Sequence, residues 1–199
     1  MAKTKLLLSA GHDSVRVGAR SPDGKYKEEV VAMILRNRVG SAIKALGGQY
    51  EVLMDTVPGG AEAGAGAGED SNAPLREAIK LAAGTKIAVE FHLNASENTA
   101  ATGIEALCHD RGGNKVIAQE LCKAIAGATG IKTRGGDSGW KPANSGQHPR
   151  LGFCEAGGII LEVCFISNPL DMELYVANKI AVAMEIADVL HRHMLQGAG

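Results

Sequence analysis

An excess of charge of either sign is missing from this sequence: 21 Lys and Arg stand against 22 Asp and Glu, a formal net charge of −1 over 199 residues. Near neutrality excludes the general attraction that a basic protein has for nucleic acid or anionic membrane, and no basic stripe supplies it locally. The four cysteines, Cys108, Cys122, Cys154 and Cys164, form no CxxC pair. Three of them lie in apolar strand-like segments, so they read as small buried hydrophobes of a reduced protein rather than a disulfide frame. No apolar run approaches the length of a membrane span, which argues against membrane insertion. Leu6-Leu7-Leu8 after the early lysines superficially resembles an export signal, but Gly11-His12-Asp13 interrupts it too soon, and mature protein is expected from residue 1. The compact HExxH pair is also absent, so any metal ligands have to be scattered along the chain.

What is present is enough apolar material for one full core: 45% of the residues are hydrophobic. Strands are expected over residues 5–10, 50–54, 86–92, 103–108, 151–154 and 158–165, and helices over 28–46, 73–83, 114–128 and 171–194. This alternation implies a single-domain α/β fold, a mostly parallel twisted sheet with helices on both faces. In the first helix Ala32, Leu35, Val39, Ala42, Ile43 and Leu46 form one apolar face. Glu28 shares it, whereas Glu29 is rotated about 100° away and is expected to be more exposed. The last helix shows an apolar series of Leu174, Ala177, Ile180, Ala181, Met184, Ala187, Val189 and Leu190. Residues 58–68 are too glycine-rich to order by themselves and read as a mobile loop after the carboxyl end of a strand, where ligand crevices of open parallel sheets lie. A second long connection, 133–150, carries the only tryptophan, Trp140, and can line a polar cleft.

Three polar groups stand out against this apolar frame. Glu162 interrupts the run Gly158-Ile159-Ile160-Leu161-Glu162-Val163-Cys164-Phe165, where an unpaired carboxylate costs several kcal/mol of desolvation, roughly 2–7 for an unpaired polar group and more for a charge. His12 and His92 each follow or end an apolar strand. Two imidazoles, one carboxylate and an open position form a common hydrolytic zinc arrangement. His12, His92 and an early glutamate supply that set, with Glu162 as the group that takes a proton from water and passes it to a leaving amine. The plain alternatives are hydrogen-bonded loop histidines and a structural ion pair for Glu162.

Four segments taken in order carry a resemblance: Ser9-Ala10-Gly11-His12-Asp13, Gly24-Lys25-Tyr26-Lys27-Glu28-Glu29, Glu90-Phe91-His92-Leu93-Asn94-Ala95 and Leu161-Glu162-Val163-Cys164-Phe165-Ile166-Ser167-Asn168-Pro169. Together they resemble the zinc N-acetylmuramoyl-L-alanine amidases of the amidase 3 type. Gly103-Ile104-Glu105 matches a strand bordering the family's cleft, and Leu151-Gly152-Phe153 the segment before its last strand. The resemblance implies one Zn²⁺ held by His12, Glu28 and His92, with Glu162 as catalytic acid/base. Asn94, Arg150 and Trp140 are candidates for substrate contact, Arg150 through a bidentate hold on a carboxylate and Trp140 by stacking.

Two positions depart from the family pattern. Glu90 stands where a small residue is usual and by alternation faces the same side as His92 and Asn94; it either orients His92, competes for the metal, or is simply exposed or ion-paired. Cys164 replaces a glycine, which is expected to narrow the space beside Glu162. Cys108 and His109 point to opposite strand faces and cannot share an ion. His191 and His193 suit a frayed helix end and are expected to be solvated, and His148 flanks Pro149 in the long polar connection.

The implied activity is hydrolysis of the amide between the lactyl group of N-acetylmuramic acid and L-alanine of the peptidoglycan stem. No appended wall-binding repeat or linker is visible, so residues 1–199 are expected to be one catalytic domain, acting as a monomer. Compactness without a signal suggests a phage endolysin made in the host cytoplasm and acting on the cell wall, in the periplasm, after release. A zinc peptidase or deacetylase, or a non-catalytic wall-binding module, is the alternative.

Overall fold

The computed structural model describes residues 3–13, 15–57, 71–136, 138–145 and 150–196. Strand β1 (Lys5–Ala10) pairs in parallel with β2 (Glu51–Met54) on one side and β5 (Ile87–Asn94) on the other, and its leucines are fully buried because both faces are covered. With β6 (Glu105–Cys108), β7 (Trp140–Pro142) and β8 (Ile159–Phe165) the sheet order is β2-β1-β5-β8-β6-β7. Every neighbouring pair is parallel except β6 with β8. Two short strands, β3 (Thr56–Val57) and β4 (Ser71–Asn72), form a separate antiparallel ribbon.

Strand alternation divides the core. Leu6, Leu8, Val89, Phe91, Leu161 and Val163 face a layer made of α1 (Glu28–Leu46), α3 (Asn114–Thr129) and α5 (Pro169–Leu195). Among the described residues, Leu7, Ala88, Leu107 and Ile160 face α2 (Leu75–Ala82), the single turn α4 (Gly152–Glu155) and Ala143. Helices do lie on both faces, but the second is thinly covered, and that leaves room for a cleft.

The expected elements form, with differences in detail. Residues 151–154, expected as a strand, overlap α4 instead: a four-residue apolar run has no period of its own, and packing decides its form. Gly152 lies where a Cβ would be 2.8 Å from Ile79 Cδ1, and Phe153 is buried against the thin face. The connection 133–150 contains the edge strand β7, paired with β6. Helix α5 starts at Pro169 because Asn168 caps it, accepting from Leu170 N at 2.9 Å and Asp171 N at 3.1 Å, with proline at the first helical position.

The phase of α5 also differs from expectation. Ile180 and Met184 are 65% and 60% exposed, and Ala177 and Ala181 are exposed, while Met172, Tyr175, Val182, Ala183 and Ile186 are buried. This helix carries apolar residues on more than one face, so periodicity alone does not choose between them. From Ala187 onward the expected residues Ala187, Val189 and Leu190 are buried. In α1, Leu46 is 48% exposed, at the helix end, and Glu29 is buried. Its carboxylate accepts from Gly18 N at 3.2 Å, because the segment before α1 folds back over the helix start.

All four cysteines are free and buried. Burial pushes the thiols of Cys108 to about 11 and of Cys122 and Cys154 to about 12, which keeps them inert. No described helix is long and apolar enough to cross a membrane. The glycine-rich segment 58–68, His148 and Pro149 lie outside the described residues.

Candidate active site

Pairing register puts three ionisable side chains on one rung of the sheet. His92 of β5 is the partner of Glu162 in β8, and Glu162 is the partner of Glu105 in β6. Directly paired residues point to the same face, here the thinly covered one, about 5 Å apart. Alternation adds Glu90 and Asn94 to that face, and a register shift between His92 and Asn94 marks an irregularity at the end of the rung.

The first imidazole reaches this rung through a strained turn. His12 has φ 65°, a left-handed conformation uncommon for a residue with a side chain. Glycines at 11 and 18 make the approach possible. A Cβ at Gly11 would lie 2.1 Å from the His92 ring, and one at Gly18 would lie 2.5 Å from Glu28 Oε2 and 2.8 Å from His12 Cδ2. His12 Nδ1 lies 3.2 Å from the Arg16 carbonyl oxygen, which turns Nε2 toward Glu28.

Glu28 is the hub. Its Oε1 lies 3.2 Å from His12 Nε2 and 3.0 Å from His92 Nδ1, and accepts from Leu93 N at 3.1 Å; Oε2 accepts from Ala19 N at 2.9 Å. Burial works against its charge, yet the two histidines hold the carboxyl well below the usual carboxylate range. The hydrogen bond to Glu28 raises His12 against the opposing effect of burial. Burial would lower His92, but Glu28 and Glu90, one at each ring nitrogen, raise it well above the ordinary value. Ligand atoms of His12, Glu28 and His92 lie within 4.8 Å of one another. Two imidazoles and one carboxylate with their ligand atoms this close fit a divalent cation, which would take the place of the protons that the carboxylates favour on the rings.

Glu90 holds the far side of His92. Its Oε2 lies 3.1 Å from Nε2, and it is not among the converging ligand groups, so it orients the ring rather than competing for an ion. Behind it runs a buried polar chain. Ser9 Oγ lies 3.3 Å from Glu90 Oε1 and 2.7 Å from Asp55 Oδ2, and Arg36 Nη1 donates to Asp55 Oδ1 at 2.9 Å and to Asn72 Oδ1 at 2.9 Å. Burial pulls the Asp55 carboxyl up to about 6, with Arg36 opposing.

Glu162 carries a different signature. Its Oε2 is enclosed and has no hydrogen-bond partner among the described residues, so the structural ion pair is absent there. Burial raises its carboxyl to about 7, with the charge of His92 opposing. A carboxyl poised near neutrality, with a free oxygen beside a cation-competent cluster, can both accept and return a proton.

Two cavities flank this line. One of about 500 Å³ is bordered by His12, His92, Glu90, Arg16 and Arg150, with Leu151 and Phe153 among its apolar walls. The other, about 460 Å³, is bordered by Glu162, Asn94, Glu105, Arg134 and Lys141. Asn94 thus lines the cleft, its Nδ2 donating to Glu105 at 2.7 Å, and Arg150 stands exposed at the rim. Trp140 does not line either cavity: it is partly buried against the core, with Lys115 Nζ 4.2 Å from its ring centre, because β7 turns it toward α3. Cys164 leaves the space beside Glu162 untouched, since its thiol packs on Met172 of α5 at 3.9 Å. His191 and His193 are half-buried and have partners rather than being simply solvated: Tyr50 Oη lies 2.6 Å from His191 Nδ1, and Glu120 Oε2 lies 3.2 Å from His193 Nε2. His109 pairs with Glu155 at 3.0 Å, away from Cys108. Sequence reasoning did not find Arg36, Asp55, Arg134 or Lys141, and for these no local signal existed.

Fold and site define an α/β enzyme domain whose reactive groups line the carboxyl edge of a mostly parallel sheet. The family model for N-acetylmuramoyl-L-alanine amidase matches residues 6–192, and the chain belongs to that family. It is a peptidoglycan amidase. Among solved structures it is similar to a candidate N-acetylmuramoyl-L-alanine amidase of Neisseria meningitidis, with 39% identity, 96% of each chain covered and a TM-score of 0.79. The catalytic domain of CwlV, an N-acetylmuramoyl-L-alanine amidase from Bacillus (Paenibacillus) polymyxa var. colistinus, shares the fold at 23% identity, with 96% of this chain and 98% of that one covered and a TM-score of 0.75. So does the catalytic domain of the CD27L endolysin targeting Clostridia difficile, at 19% identity, 95% and 97% coverage and a TM-score of 0.66. No curated protein matches the chain.

Proposed function

We propose that this chain hydrolyses the amide between the lactyl group of N-acetylmuramic acid and L-alanine with one zinc ion held by His12, Glu28 and His92. The observation that carries the reading is the convergence of those three donors within 4.8 Å beside an unpartnered Glu162 oxygen. A zinc ion bound there supplies a Lewis acid that polarises the carbonyl and lowers the pKa of water. Glu162 accepts the proton of the attacking water at Oε2 and returns it to the departing L-alanine nitrogen. Its pKa of about 7 makes both protonation states accessible near neutral pH. His12 and His92 are held in orientation by the Arg16 carbonyl and by Glu90. Asn94 fixes the Glu105 side of the cleft.

The test is product chemistry on purified peptidoglycan. Free amino-terminal L-alanine without new reducing sugar, lost on chelation and restored by zinc, is the expected result. A new D-amino-acid terminus identifies a peptidase instead, and sedimentation with sacculi without release identifies a binding module. Glu162→Gln is expected to keep zinc and lower turnover by about 10²–10⁴-fold; a fully active variant overturns the role of Glu162.

The setting we propose is endolysin-type lysis by a phage protein that reaches the wall from the host cytoplasm after a separate membrane lesion. The fold is one that an endolysin catalytic domain also uses. Induced expression with and without a membrane permeabiliser tests it: lysis that needs no permeabiliser refutes this route.

A further inference from the structure

The loop that carries His12 is tied mostly to itself. Asp13 N donates to the Arg16 carbonyl at 3.3 Å, and Asp13 Oδ1 accepts from Val15 N and Arg16 N at 2.9 and 2.6 Å. His12 Nδ1 lies 3.2 Å from that same Arg16 carbonyl oxygen. Val15 and Val17 stand exposed, so burial of these side chains does not anchor the loop. The left-handed conformation at His12 persists only where surrounding contacts enforce it. Among the described residues, one hydrogen bond from outside reaches the backbone between Gly11 and Gly18: Asn72 Nδ2 donates to the His12 carbonyl at 3.1 Å.

The same amino group donates to the Glu29 carbonyl at 3.2 Å, in the first turn of α1 and next to Glu28. One planar amide therefore joins the turn bearing the first imidazole to the helix start bearing the shared carboxylate. Its orientation is settled by its partners, because two carbonyls require the amino group and Arg36 Nη1, at 2.9 Å, requires the oxygen. The amide is itself firmly seated. Asn72 is buried, it pairs with Thr56 of β3, and the next residue, Ala73, donates its N–H to the Asp55 carbonyl at 2.9 Å. Arg36, which fixes the amide oxygen, is fully buried and anchored on Asp55.

We propose that Asn72 is a positioning residue for the metal centre: its side-chain amide holds the His12 turn against the start of α1, so that His12 Nε2 and Glu28 Oε1 meet at 3.2 Å. It acts through His12 and is no ligand itself. The proposal rests on the zinc reading of His12, Glu28 and His92. Both N–H groups of the amide are consumed by the two backbones it joins, so removing the donors frees one backbone from the other even where the side-chain volume stays.

The test compares three variants of the full chain. Asn72→Asp keeps an acceptor for Arg36 and loses both donors, whereas Asn72→Leu loses acceptor and donors alike. Both are expected to weaken zinc binding about 10–100-fold, the range for losing a group that orients a metal ligand, as read by competition against a chromophoric chelator. Ile186→Ala, destabilised but remote in α5, is expected to bind zinc as the native protein does. In metal-free protein the His12 and His92 rings, with centres 5.0 Å apart, are expected to give a nuclear Overhauser effect that both Asn72 variants lose. The contact of Tyr50 with His191 is expected to persist and reports that the variants are folded. A role confined to satisfying Arg36 predicts native zinc affinity in Asn72→Asp; that result, or a retained His12–His92 effect in either folded variant, overturns the proposal. So does an equal loss of affinity in Ile186→Ala, which would make the effect one of general stability. Should one Asn72 variant fail to fold, the other decides by the same two readings. If the native protein takes up no zinc, the zinc reading falls, and the metal-free spectra still decide the clamp. If it takes up zinc and the Asn72 variants bind it as tightly, only the clamp falls.

Discussion

Replacing Glu90 by alanine separates orientation of His92 from mere burial of the ring. The carboxylate is 3% exposed and lies 3.1 Å from His92 Nε2. A charge-assisted bond in such a place is worth about 1.5–3 kcal/mol, which at about 1.4 kcal/mol per decade corresponds to roughly 10–150-fold in zinc affinity. A second effect opposes the first. Glu90 also raises the pKa of His92, so its removal lets the ring give up its proton more easily and favours metal at low pH. Proton competition fades as pH rises, and only the orientation loss remains. The zinc affinity deficit of Glu90→Ala is therefore expected to be small near pH 6.5 and to widen toward pH 8.5, with Glu90→Gln, which keeps an acceptor oxygen, less affected. The assay is competition against a chromophoric chelator at both pH values, with circular dichroism to confirm folding. Zinc binding by Glu90→Ala as tight as that of the native protein at pH 8.5 would refute the reasoning.

Other perturbations probe neighbouring parts of the same argument. Arg36→Met leaves the Asp55 carboxylate buried without its cation and should cost about 3–5 kcal/mol near pH 8. The sign with pH follows from linkage. Asp55 sits at about 6 in the fold, above its unfolded value, so its contribution is greatest below the unfolded pKa and declines as pH rises through the folded one. Without Arg36 that decline continues past pH 6, and the penalty in urea denaturation should shrink markedly at pH 5; a penalty independent of pH contradicts the account. Gly11→Ala forces the His92 ring to move by about 1 Å or more to restore van der Waals spacing, and zinc affinity is expected to drop while helical content is kept; unchanged affinity speaks against the cradle. Zinc binding should release protons from His12 and His92, more at pH 6.5 than at pH 8.5, as read by calorimetry in buffers of different ionisation enthalpy. In α5, Ile186→Ala should cost about 2–5 kcal/mol and Ile180→Ala no more than about 0.5, the thermal midpoints deciding which face is inside.

The strong signals along the chain were those whose cause is local. A continuous apolar run such as Leu6-Leu7-Leu8 has to be buried on both faces, and Glu28–Leu46 forms as read because its apolar positions recur at the helical step. Glu162 announced itself by the cost of burying a charge, and its oxygen, without a partner among the described residues, agrees with that cost being retained for a purpose. Weak signals failed where two packings competed. Residues 151–154 were too short to carry a period, and α5 is apolar on more than one face, so tertiary contacts set its phase. Trp140 looked available in a polar connection until strand pairing turned it toward α3.

By itself the sequence determined the alternation of strands and helices and the helix that begins at Glu28, and it marked His12, His92 and Glu162 as candidates for metal and acid/base chemistry. Tertiary structure alone decided the register that sets His92, Glu162 and Glu105 on one rung. It also decided the thin covering that leaves this face open, and the pairing of Arg36 with Asp55 and of Arg134 with Glu105. The reason is physical. Periodicity and burial cost act within a few residues, whereas a contact between groups 19 to 81 positions apart, as Arg36 is from Asp55 and Ser9 from Glu90, exists only once the sheet has closed and fixed which strands are neighbours.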